Sequence, residues 1–271
     1  MNETSFPVQI GRYVTVRLLG SGGMGEVYLS RDQQFDRLVA VKVLNVSARE
    51  DPELLSRFRR EAECASRLSH PNLVKLYDYG EHDGAPFIVM QYVDGESLAD
   101  LIKRRRRLEP LSALKTAREV LEALVVCHEA GILHRDVKPG NIIIDRSGRA
   151  HLVDLGLSKP LDKKTLTRTG SLVGTPRYVP PELLVGDRYD ARSDVYQVGL
   201  VLYECLEGRS AFDGTDLAGL LRRITDDLPP PLTCPLSSAT DWICELLARM
   251  LAKDPASRFQ SSREVLDFLA D

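Results

Sequence analysis

The sequence predicts an α+β fold in which the strands come first along the chain and most of the helices come later. Up to about Tyr92 the apolar residues fall in short runs typical of strands, with one helical pattern among them. Beyond Tyr92 the apolar spacing is mostly helical, and a single hairpin pattern, Ile142–Val153, interrupts it. At 271 residues and 43% hydrophobic composition the chain can bury a full core, as one large domain or as two lobes.

Composition argues against several kinds of partner. The formal net charge is −3, so nothing global favours nucleic acid or an anionic membrane. No apolar run approaches the ~20 residues of a membrane helix, and the N-terminus lacks the basic-then-apolar order of a signal peptide. The five cysteines are odd in number, widely spaced and without a C-x-x-C pair. We therefore expect free thiols in a reducing cytoplasm and no membrane segment within this chain.

Tyr13–Ser30 is predicted to form two strands joined by a glycine-rich turn, because apolar residues alternate on both sides of the glycines. By itself the pattern Gly20, Gly22 and Gly25 also fits a plain hairpin whose turn needs positive φ. The glycines precede a strand rather than a helix, which argues against a dinucleotide-binding fold. The lysine of a Walker loop does not follow them either.

The next strand, Leu38–Leu44, carries a single charge, Lys42, among apolar residues. Asp51–Glu53 predicts a helix start, and Glu61 falls on the apolar stripe of that helix, which comprises Leu54, Phe58, Ala65 and Leu68. A buried charge is costly unless it is paired, so we expect Lys42 and Glu61 to meet. The segment alone also fits an edge-strand lysine whose amine reaches water.

Two more strands, Leu73–Tyr79 and Pro86–Tyr92, complete the strand-rich part. Three later segments have helical spacing: Ser97–Arg107, the core-facing Leu111–His128, and Val195–Leu206, which Asp194 opens. The basic run at the end of the first of these suits the negative end of a helix dipole, and docking of an acidic substrate stays open. Trp242 lies among apolar residues and is predicted to be core.

The hairpin pattern places polar side chains together. Ile142–Ile144 and His151–Val153 flank the turn-forming residues Asp145 to Gly148. If Ile144 pairs with Arg149, Asn141 and Asp154 come near the open end of the hairpin, and Asp136 lies on the loop just before it. Two carboxylates and an amide form an all-oxygen set that suits a hard cation such as Mg²⁺. The alternative is three unrelated polar loop residues.

Between Asp154 and Glu182 the helical pattern is lost. This stretch has no amphipathic period, and it carries Thr165, Thr167, Thr169 and Ser171 among lysines and an arginine. A long irregular segment in a compact domain is usually functional. A disordered surface loop would explain the threonines but not the way in which the segment ends.

The residues His134-Arg135-Asp136-x-Lys138-x-x-Asn141, followed by Asp154-x-Gly156, resemble the catalytic and metal-binding loops of serine/threonine protein kinases. The resemblance implies a two-lobed fold, with an antiparallel sheet and one main helix in residues 1–92 and a mostly helical lobe in residues 93–271. It also implies that Asp136 accepts the proton of the substrate hydroxyl, that Lys138 steadies the transferring phosphate, and that Asn141 and Asp154 hold the metal. Leu155 stands where the family more often has phenylalanine, a conservative apolar change.

The same resemblance implies an ATP site in the first lobe. Lys42 would grip the α- and β-phosphates, and Glu61 would hold the lysine. Met90 would be the gatekeeper, and Gln91–Val93 the hinge whose Val93 backbone bonds adenine. The implied cofactor-binding set is Leu19, Gly20, Ser21, Gly22, Gly23, Met24, Gly25, Glu26, Val27, Ala40, Lys42, Met90, Gln91 and Val93.

The stretch Gly174–Glu182 resembles the end of a kinase activation segment, which shapes the substrate platform. By the same resemblance Asp194 would brace the catalytic-loop backbone, and Arg258 would pair with Glu182. Thr167 and Thr169 occupy the positions most like those phosphorylated in bacterial kinases. A phosphothreonine there could pair with Arg135 and order the loop.

Together these features look most like bacterial serine/threonine kinases of the eukaryotic type. The implied cofactors are ATP and Mg²⁺, with Mn²⁺ open as a substitute, and the implied partners are protein substrates with serine or threonine. Autophosphorylation in trans through a homodimer stays open. Three alternatives also remain: a pseudokinase scaffold, which usually lacks one of the four groups Lys42, Asp136, Asn141 and Asp154; a small-molecule phosphotransferase; and an adaptor that needs only its phosphorylated threonine loop.

Overall fold

A computed structural model describes residues 9–22, 25–44, 59–60, 62–155, 176–214, 216–234 and 240–270. The chain divides into two compact units, one of Met1–His70 with Val74–Val93 and the other of Pro71–Leu73 with Asp94–Asp271. The units thus divide after Val93, where the sequence predicts a lobe boundary after Tyr92. Pro71–Leu73 belongs to the second unit because Leu73 forms a bridge with Leu152 and the Leu152 N–H donates to the Asn72 carbonyl.

The first unit is built on a six-stranded antiparallel sheet, in the order β1-β2-β3-β4-β6-β5. Its strands are β1 (Gln9–Ile10), β2 (Tyr13–Gly22), β3 (Gly25–Asp32), β4 (Arg37–Leu44), β5 (Leu76–His82) and β6 (Ala85–Gln91). The strand that the sequence places at Leu73 begins instead at Leu76, because Leu73 pairs with the second unit. Helical backbone is present at 59–60 and 62–66.

One face of this sheet carries the apolar core of the unit. Alternate residues of neighbouring strands meet there, as the period of two along a strand requires. The cluster comprises Ile10, Tyr13, Tyr28, Val39, Val41, Phe87 and Val89. The residues between them therefore point to the opposite face.

The second unit is mostly helical. Its helices are α1 (Leu98–Arg105), α2 (Pro110–Glu129), α3 (Pro181–Val185), α4 (Ala191–Glu207), α5 (Leu217–Asp226), α6 (Thr240–Met250) and α7 (Ser262–Phe268). A small antiparallel sheet, ordered β7-β8-β9, joins β7 (Gly95–Ser97), β8 (Ile142–Asp145) and β9 (Ala150–Leu152). Among the helices in the described ranges, none is both long and apolar enough to cross a membrane.

Helix α4 lies at the centre of the second unit and is buried on nearly every side. Its start differs from the prediction, because Asp190 rather than Asp194 is the N-cap. The Asp190 side chain accepts the Arg192 N–H, and Ser193 completes a capping box. Asp194 therefore lies inside the first turn of the helix, where its carboxylate projects from a buried backbone.

Two residues predicted to be core are exposed. Leu111 is 82% exposed because the buried stripe of α2 begins with Ala113 and returns at Ala117, and this stripe leaves Leu111 on the outer side. Trp242 is 37% exposed because Ile243, one position later on α6, carries the buried stripe of that helix. In both helices the period was predicted correctly, but the edge of the stripe was not.

Candidate active site

Strand pairing in the first unit brings four of the predicted ATP-site side chains to one face of the sheet. Lys42 pairs with Val27 on β3, and Ala40 pairs with Met90 on β6. Directly opposite residues in an antiparallel pair project to the same side, and Ala40 and Lys42 are two residues apart on β4. This face is opposite the apolar cluster, which takes Val39 and Val41 from the same strand.

Lys42 is a buried lysine of a central strand. It is 7% exposed, and β4 lies between β3 and β6 in the sheet. The alternative of an edge-strand lysine whose amine reaches water is therefore wrong. A buried ammonium requires a partner of opposite charge. Glu61, the predicted partner, lies outside the described residues, so that ion pair stays a prediction.

The glycine-rich turn is the end of the β2–β3 hairpin. Gly22 pairs with Gly25 at its tip, and Gly20 pairs with Val27. Gly25 cannot be replaced without strain, because its φ is +145° and an added Cβ would lie 1.9 Å from the Val43 carbonyl oxygen. Around Gly20 and Gly22 no atom lies within 4 Å of such a Cβ, so the backbone there is open to approach.

The other described members of the predicted cofactor set lie on β2 and β3 or at the end of β6. Leu19 falls at an irregularity of the β2–β3 register, and Ser21 pairs with Glu26. The Gln91 N–H donates to the Lys75 carbonyl, just before β5, so this N–H is already bonded within the first unit. Val93 follows the end of β6 and is half-buried. Gly23 and Met24 lie outside the described residues.

In the second unit Asp136 is held by two side chains on one oxygen. Lys138 Nζ lies 2.9 Å from Asp136 Oδ2, and Asn141 Nδ2 lies 2.9 Å from the same atom. Asn141 Nδ2 also donates to the Asp136 main-chain carbonyl at 2.8 Å. A carbonyl can only accept, so this bond sets the orientation of the amide and turns Asn141 Oδ1 away from Asp136.

The hairpin connects Asn141 to the neighbour of Asp154, as predicted, but its register differs. Ile144 pairs with Ala150 rather than with Arg149. The Asp145 N–H donates to the Arg149 carbonyl, so the turn closes one position later than predicted. The open end is unaffected, because the Val153 N–H donates to the Asn141 carbonyl at 3.0 Å. Asp154 follows directly, in the left-handed region with φ 64°.

His134, for which the sequence predicts no separate role, orders the loop from inside. Its Nε2 lies 3.0 Å from the Val153 carbonyl and must therefore carry the proton, while Nδ1 accepts the Asp136 N–H at 3.3 Å. Burial lowers the pKa of His134, outweighing the nearby carboxylates, which would raise it. A neutral imidazole thus joins the residue before Asp154 to the backbone of Asp136.

Asp194 braces the backbone of the predicted catalytic loop, and the prediction of this contact is confirmed. Its carboxylate accepts the His134 N–H and the Arg135 N–H, each at 2.9 Å. His128 Nε2 lies 2.7 Å from Asp194 Oδ2, and the Tyr189 hydroxyl donates to Asp194 Oδ1. Burial alone would raise the pKa of Asp194, but the hydrogen bond and charge of His128 hold it below its usual range. The brace is therefore a carboxylate at neutral pH.

The predicted pair of Arg258 and Glu182 is also confirmed. Arg258 Nη1 lies 3.0 Å from Glu182 Oε1, and Nη2 lies 2.8 Å from Oε2. Both side chains are almost fully buried, and Ser193 Oγ donates to the same carboxylate. This bidentate pair attaches the start of α3, where the irregular segment ends, to the segment that precedes α7.

The described residues contain no group of three or more His, Cys, Asp or Glu side chains that could hold a metal ion. The open end of the hairpin has two possible metal ligands, the amide oxygen of Asn141 and the carboxylate of Asp154. Hard oxygen donors in this number suit Mg²⁺, which keeps several waters and takes further ligands from substrate phosphates. The donor set therefore fits a metal that arrives with a phosphorylated substrate.

The protein kinase domain family matches residues 13–267. The chain belongs to the protein kinase family. It is 37% identical over 255 residues to the serine/threonine-protein kinase PrkC of Bacillus subtilis, covering 94% of this chain and 39% of that protein. It is 39% identical over 268 residues to the serine/threonine-protein kinase PknB of Mycobacterium leprae, covering 97% of this chain and 43% of that protein. The kinase domain thus spans about two fifths of the length of these relatives.

Solved structures support the fold of the kinase domain. The crystal structure of the Mycobacterium tuberculosis PknI kinase domain matches with a TM-score of 0.72 and 33% identity, over 96% of this chain and 95% of that one. The predicted α+β kinase fold and the predicted resemblance to bacterial serine/threonine kinases are both confirmed. Members of this family use ATP and a divalent metal ion.

The kinase domain also contains contacts to the predicted catalytic loop that the sequence did not predict. Tyr189, Gln197 and His128 all bond to the catalytic loop or to its brace, yet each has the appearance of an ordinary helix or loop residue in the sequence. Gln197, three residues after Asp194 within an apolar helix, was the available signal, since a buried amide requires partners. Thr167 and Thr169 lie outside the described residues, so their role stays a prediction.

Proposed function

We propose that this kinase domain transfers the γ-phosphoryl group of ATP to serine and threonine hydroxyls of proteins. The observation that carries the proposal is the Asp136 carboxylate, held through one oxygen by Lys138 and Asn141. Phosphoryl transfer needs positioning and charge stabilisation more than covalent chemistry, and a fixed carboxylate beside a cation supplies both.

Asp136 would accept the proton of the attacking hydroxyl as the oxygen–phosphorus bond forms. Its carboxylate is oriented on one side by the Asn141 amide and from the backbone side by His134. Lys138, whose amine lies 2.9 Å from the carboxylate, would stabilise negative charge on the transferring phosphoryl group. Neither role requires the loop to rearrange, because these contacts are already formed.

Asn141 and Asp154 would hold the metal, which we propose to be Mg²⁺. Bound there, Mg²⁺ would neutralise charge on the phosphates as the γ-phosphoryl group leaves. Lys42 would contact the α- and β-phosphates with Glu61 as its partner, and the glycine turn would cover them. Met90, Gln91 and Val93 would face adenine. Restoring activity to metal-stripped protein with Mg²⁺ or with Mn²⁺ tests the choice of ion.

We further propose that the kinase domain phosphorylates its own Thr167 and Thr169. Either phosphothreonine would pair with Arg135, which adjoins the catalytic aspartate, and with neighbouring cations. A second copy of the chain would present the threonines in trans, and the reaction would take place in the cytoplasm. An unchanged rate in a Thr167→Ala/Thr169→Ala variant would contradict this part of the proposal.

The decisive experiment is phosphosite mapping by mass spectrometry after incubation with Mg-ATP and a general acceptor protein. Wild type is compared with Asp136→Asn, and Asp187→Asn serves as a matched control because Asp187 is exposed beyond α3. We expect phosphate on the acceptor and on Thr167 or Thr169 with wild type and Asp187→Asn, and none with Asp136→Asn. Transfer by Asp136→Asn at the wild-type rate would refute the assignment. ATP binding without transfer by wild type would favour a scaffold.

A further inference from the structure

Gln197 is a buried amide whose hydrogen bonds join two separate segments of the second unit. It is 3% exposed, on the face of α4 that contacts the catalytic loop. Its Oε1 accepts the Val137 N–H at 2.9 Å and lies 3.0 Å from the Tyr189 hydroxyl oxygen, whose proton goes to Asp194. Its Nε2 donates to the Tyr178 carbonyl at 2.9 Å.

The two backbone groups that Gln197 joins belong to functional segments. Val137 directly follows Asp136, the catalytic carboxylate of the proposed function. Tyr178 lies in the stretch Gly174–Glu182, whose resemblance is to the end of an activation segment and the substrate platform. One segment offers an N–H and the other a carbonyl, and an amide side chain presents an acceptor and a donor on one rigid plane. Gln197 fits this pair of groups without any charge.

Tyr178 is held by α4 at a second point. Its hydroxyl donates to Glu204, which lies seven residues after Gln197 and hence on the same side of the helix. Burial raises the pKa of Glu204, although the hydrogen bond from Tyr178 lowers it. The backbone and the ring of Tyr178 are thus both attached to the helix that also holds the catalytic loop.

We propose that Gln197 is a positioning residue that sets the protein-substrate platform in register with Asp136. This inference rests on the proposed function, since it assigns Gln197 to the same reaction. A displaced platform would offer the acceptor protein a poorer binding surface and so raise its KM, and it would also misplace the acceptor hydroxyl relative to the carboxylate. Adenine and the α- and β-phosphates are assigned to residues of the first unit, so KM for ATP should depend on Gln197 much less than KM for the acceptor.

The first test replaces Gln197 with methionine, which has a similar length but neither bonds the Val137 N–H nor donates to Tyr178. Steady-state kinetics are measured with myelin basic protein as the acceptor, and separately with ATP as the varied substrate. We expect kcat/KM for the acceptor to fall by at least about tenfold, mainly through KM, and KM for ATP to change by less than about twofold. An unchanged KM for the acceptor would overturn the proposal.

A matched control separates positioning from stability. Leu202→Ala also removes a buried side chain of α4, and Leu202 is 1% exposed. At an equal loss of melting temperature, we expect Leu202→Ala to leave KM for the acceptor unchanged. If the two variants change kcat and both KM values in the same way, Gln197 has only a structural role and the proposal fails.

The second test is a pH profile of Gln197→Glu, which keeps the shape of the side chain. A neutral carboxylic acid has one acceptor and one donor, as the amide does, whereas a carboxylate cannot donate to the Tyr178 carbonyl. The Val137 N–H bond favours the carboxylate, but burial and the neighbouring carboxyls of Asp194 and Glu204 favour the neutral acid, so we expect a raised pKa for the new group. We therefore expect KM for the acceptor to approach the wild-type value near about pH 6 and to rise by about pH 8.5, relative to wild type at each pH.

The outcomes distinguish this inference from the proposed function. If wild type transfers no phosphate to the acceptor under any condition, the proposed function fails and takes the inference with it. If wild type transfers phosphate and both Gln197 variants match its KM for the acceptor at every pH, the inference alone fails. The inference is supported if the variants raise KM for the acceptor alone and Gln197→Glu returns to the wild-type KM at low pH.

Discussion

Removal of the Arg258 guanidinium should destabilise the kinase domain more than removal of any exposed arginine. Besides its two bonds to Glu182, the guanidinium donates to the carbonyls of Ala252, Lys253 and Arg192, at 2.6, 3.0 and 3.2 Å. Its side chain is fully buried. In Arg258→Met the Glu182 carboxylate stays buried without its counter-charge, and three carbonyls lose a donor.

The size of the effect follows from the burial. Breaking a buried ion pair by removing one partner costs about 3–5 kcal/mol, because the remaining charge has no compensation. For a unit of this size each kcal/mol lowers the melting temperature by roughly 2–4 °C, so we expect a loss of about 6–20 °C. The matched control is Arg263→Met, which removes an exposed pair with Glu129 and should cost about 0–1 kcal/mol.

The assay is urea unfolding of the two variants, of Glu182→Gln and of the double variant Glu182→Gln/Arg258→Met. The double variant should lose less free energy of unfolding than its two single variants together, because no unpaired charge remains in it. A loss below about 1 kcal/mol for Arg258→Met would refute the reasoning, as would strict additivity. Either result would mean that the buried pair contributes no more than a surface one.

Three further predictions concern the second unit. Burial lowers the pKa of Lys253 to about 8. Between about pH 8 and about pH 10.5 the unfolded state therefore binds more protons than the folded state. In urea titrations the wild type should gain stability relative to Lys253→Met as the pH rises through that window. The Tyr203 hydroxyl is buried and bonds to no described residue, so Tyr203→Phe should leave the melting temperature unchanged or raise it. A Cβ on Gly199 would lie 2.9 Å from Leu251 Cδ2 and 3.0 Å from Met250 Cβ. Calorimetry should therefore show that Gly199→Ala lowers the free energy of unfolding by about 1 kcal/mol, although alanine has the better helix propensity.

The parts of the site that are local in sequence could be predicted well. Asp136 and Asn141 lie within one short loop, so their contact follows once the loop is placed before a hairpin, whereas Lys138 was predicted only through resemblance to kinases. The hairpin register was wrong because Gly148, with φ 79°, allows a three-residue loop closed by Asp145 and Arg149. Asp145 Oδ1 also accepts the Ser147 and Arg149 N–H groups, which holds Arg149 in the turn.

Contacts between distant segments were harder to predict. The bond from Val137 to Gln197 joins residues 60 apart in sequence, and no period or turn residue signals it. Asp194 and Arg258 were predicted only through resemblance to kinases, since a polar residue in an apolar helix does not specify its partner. The prediction that Trp242 is core was wrong for a different reason, because hydrophobic spacing gives the direction of a buried stripe but not its width.

The catalytic loop has little regular secondary structure, yet its amide hydrogens are bonded to a helix. The N–H groups of His134, Arg135 and Val137 donate to Asp194 and Gln197 on α4. In the terms of hydrogen exchange, these amides open to solvent only when the loop separates from that helix. We therefore expect the loop to belong to the cooperative unfolding unit of α4. The lifetime of the active geometry would then be set by the packing of a helix that contains none of the groups proposed to act on the substrate.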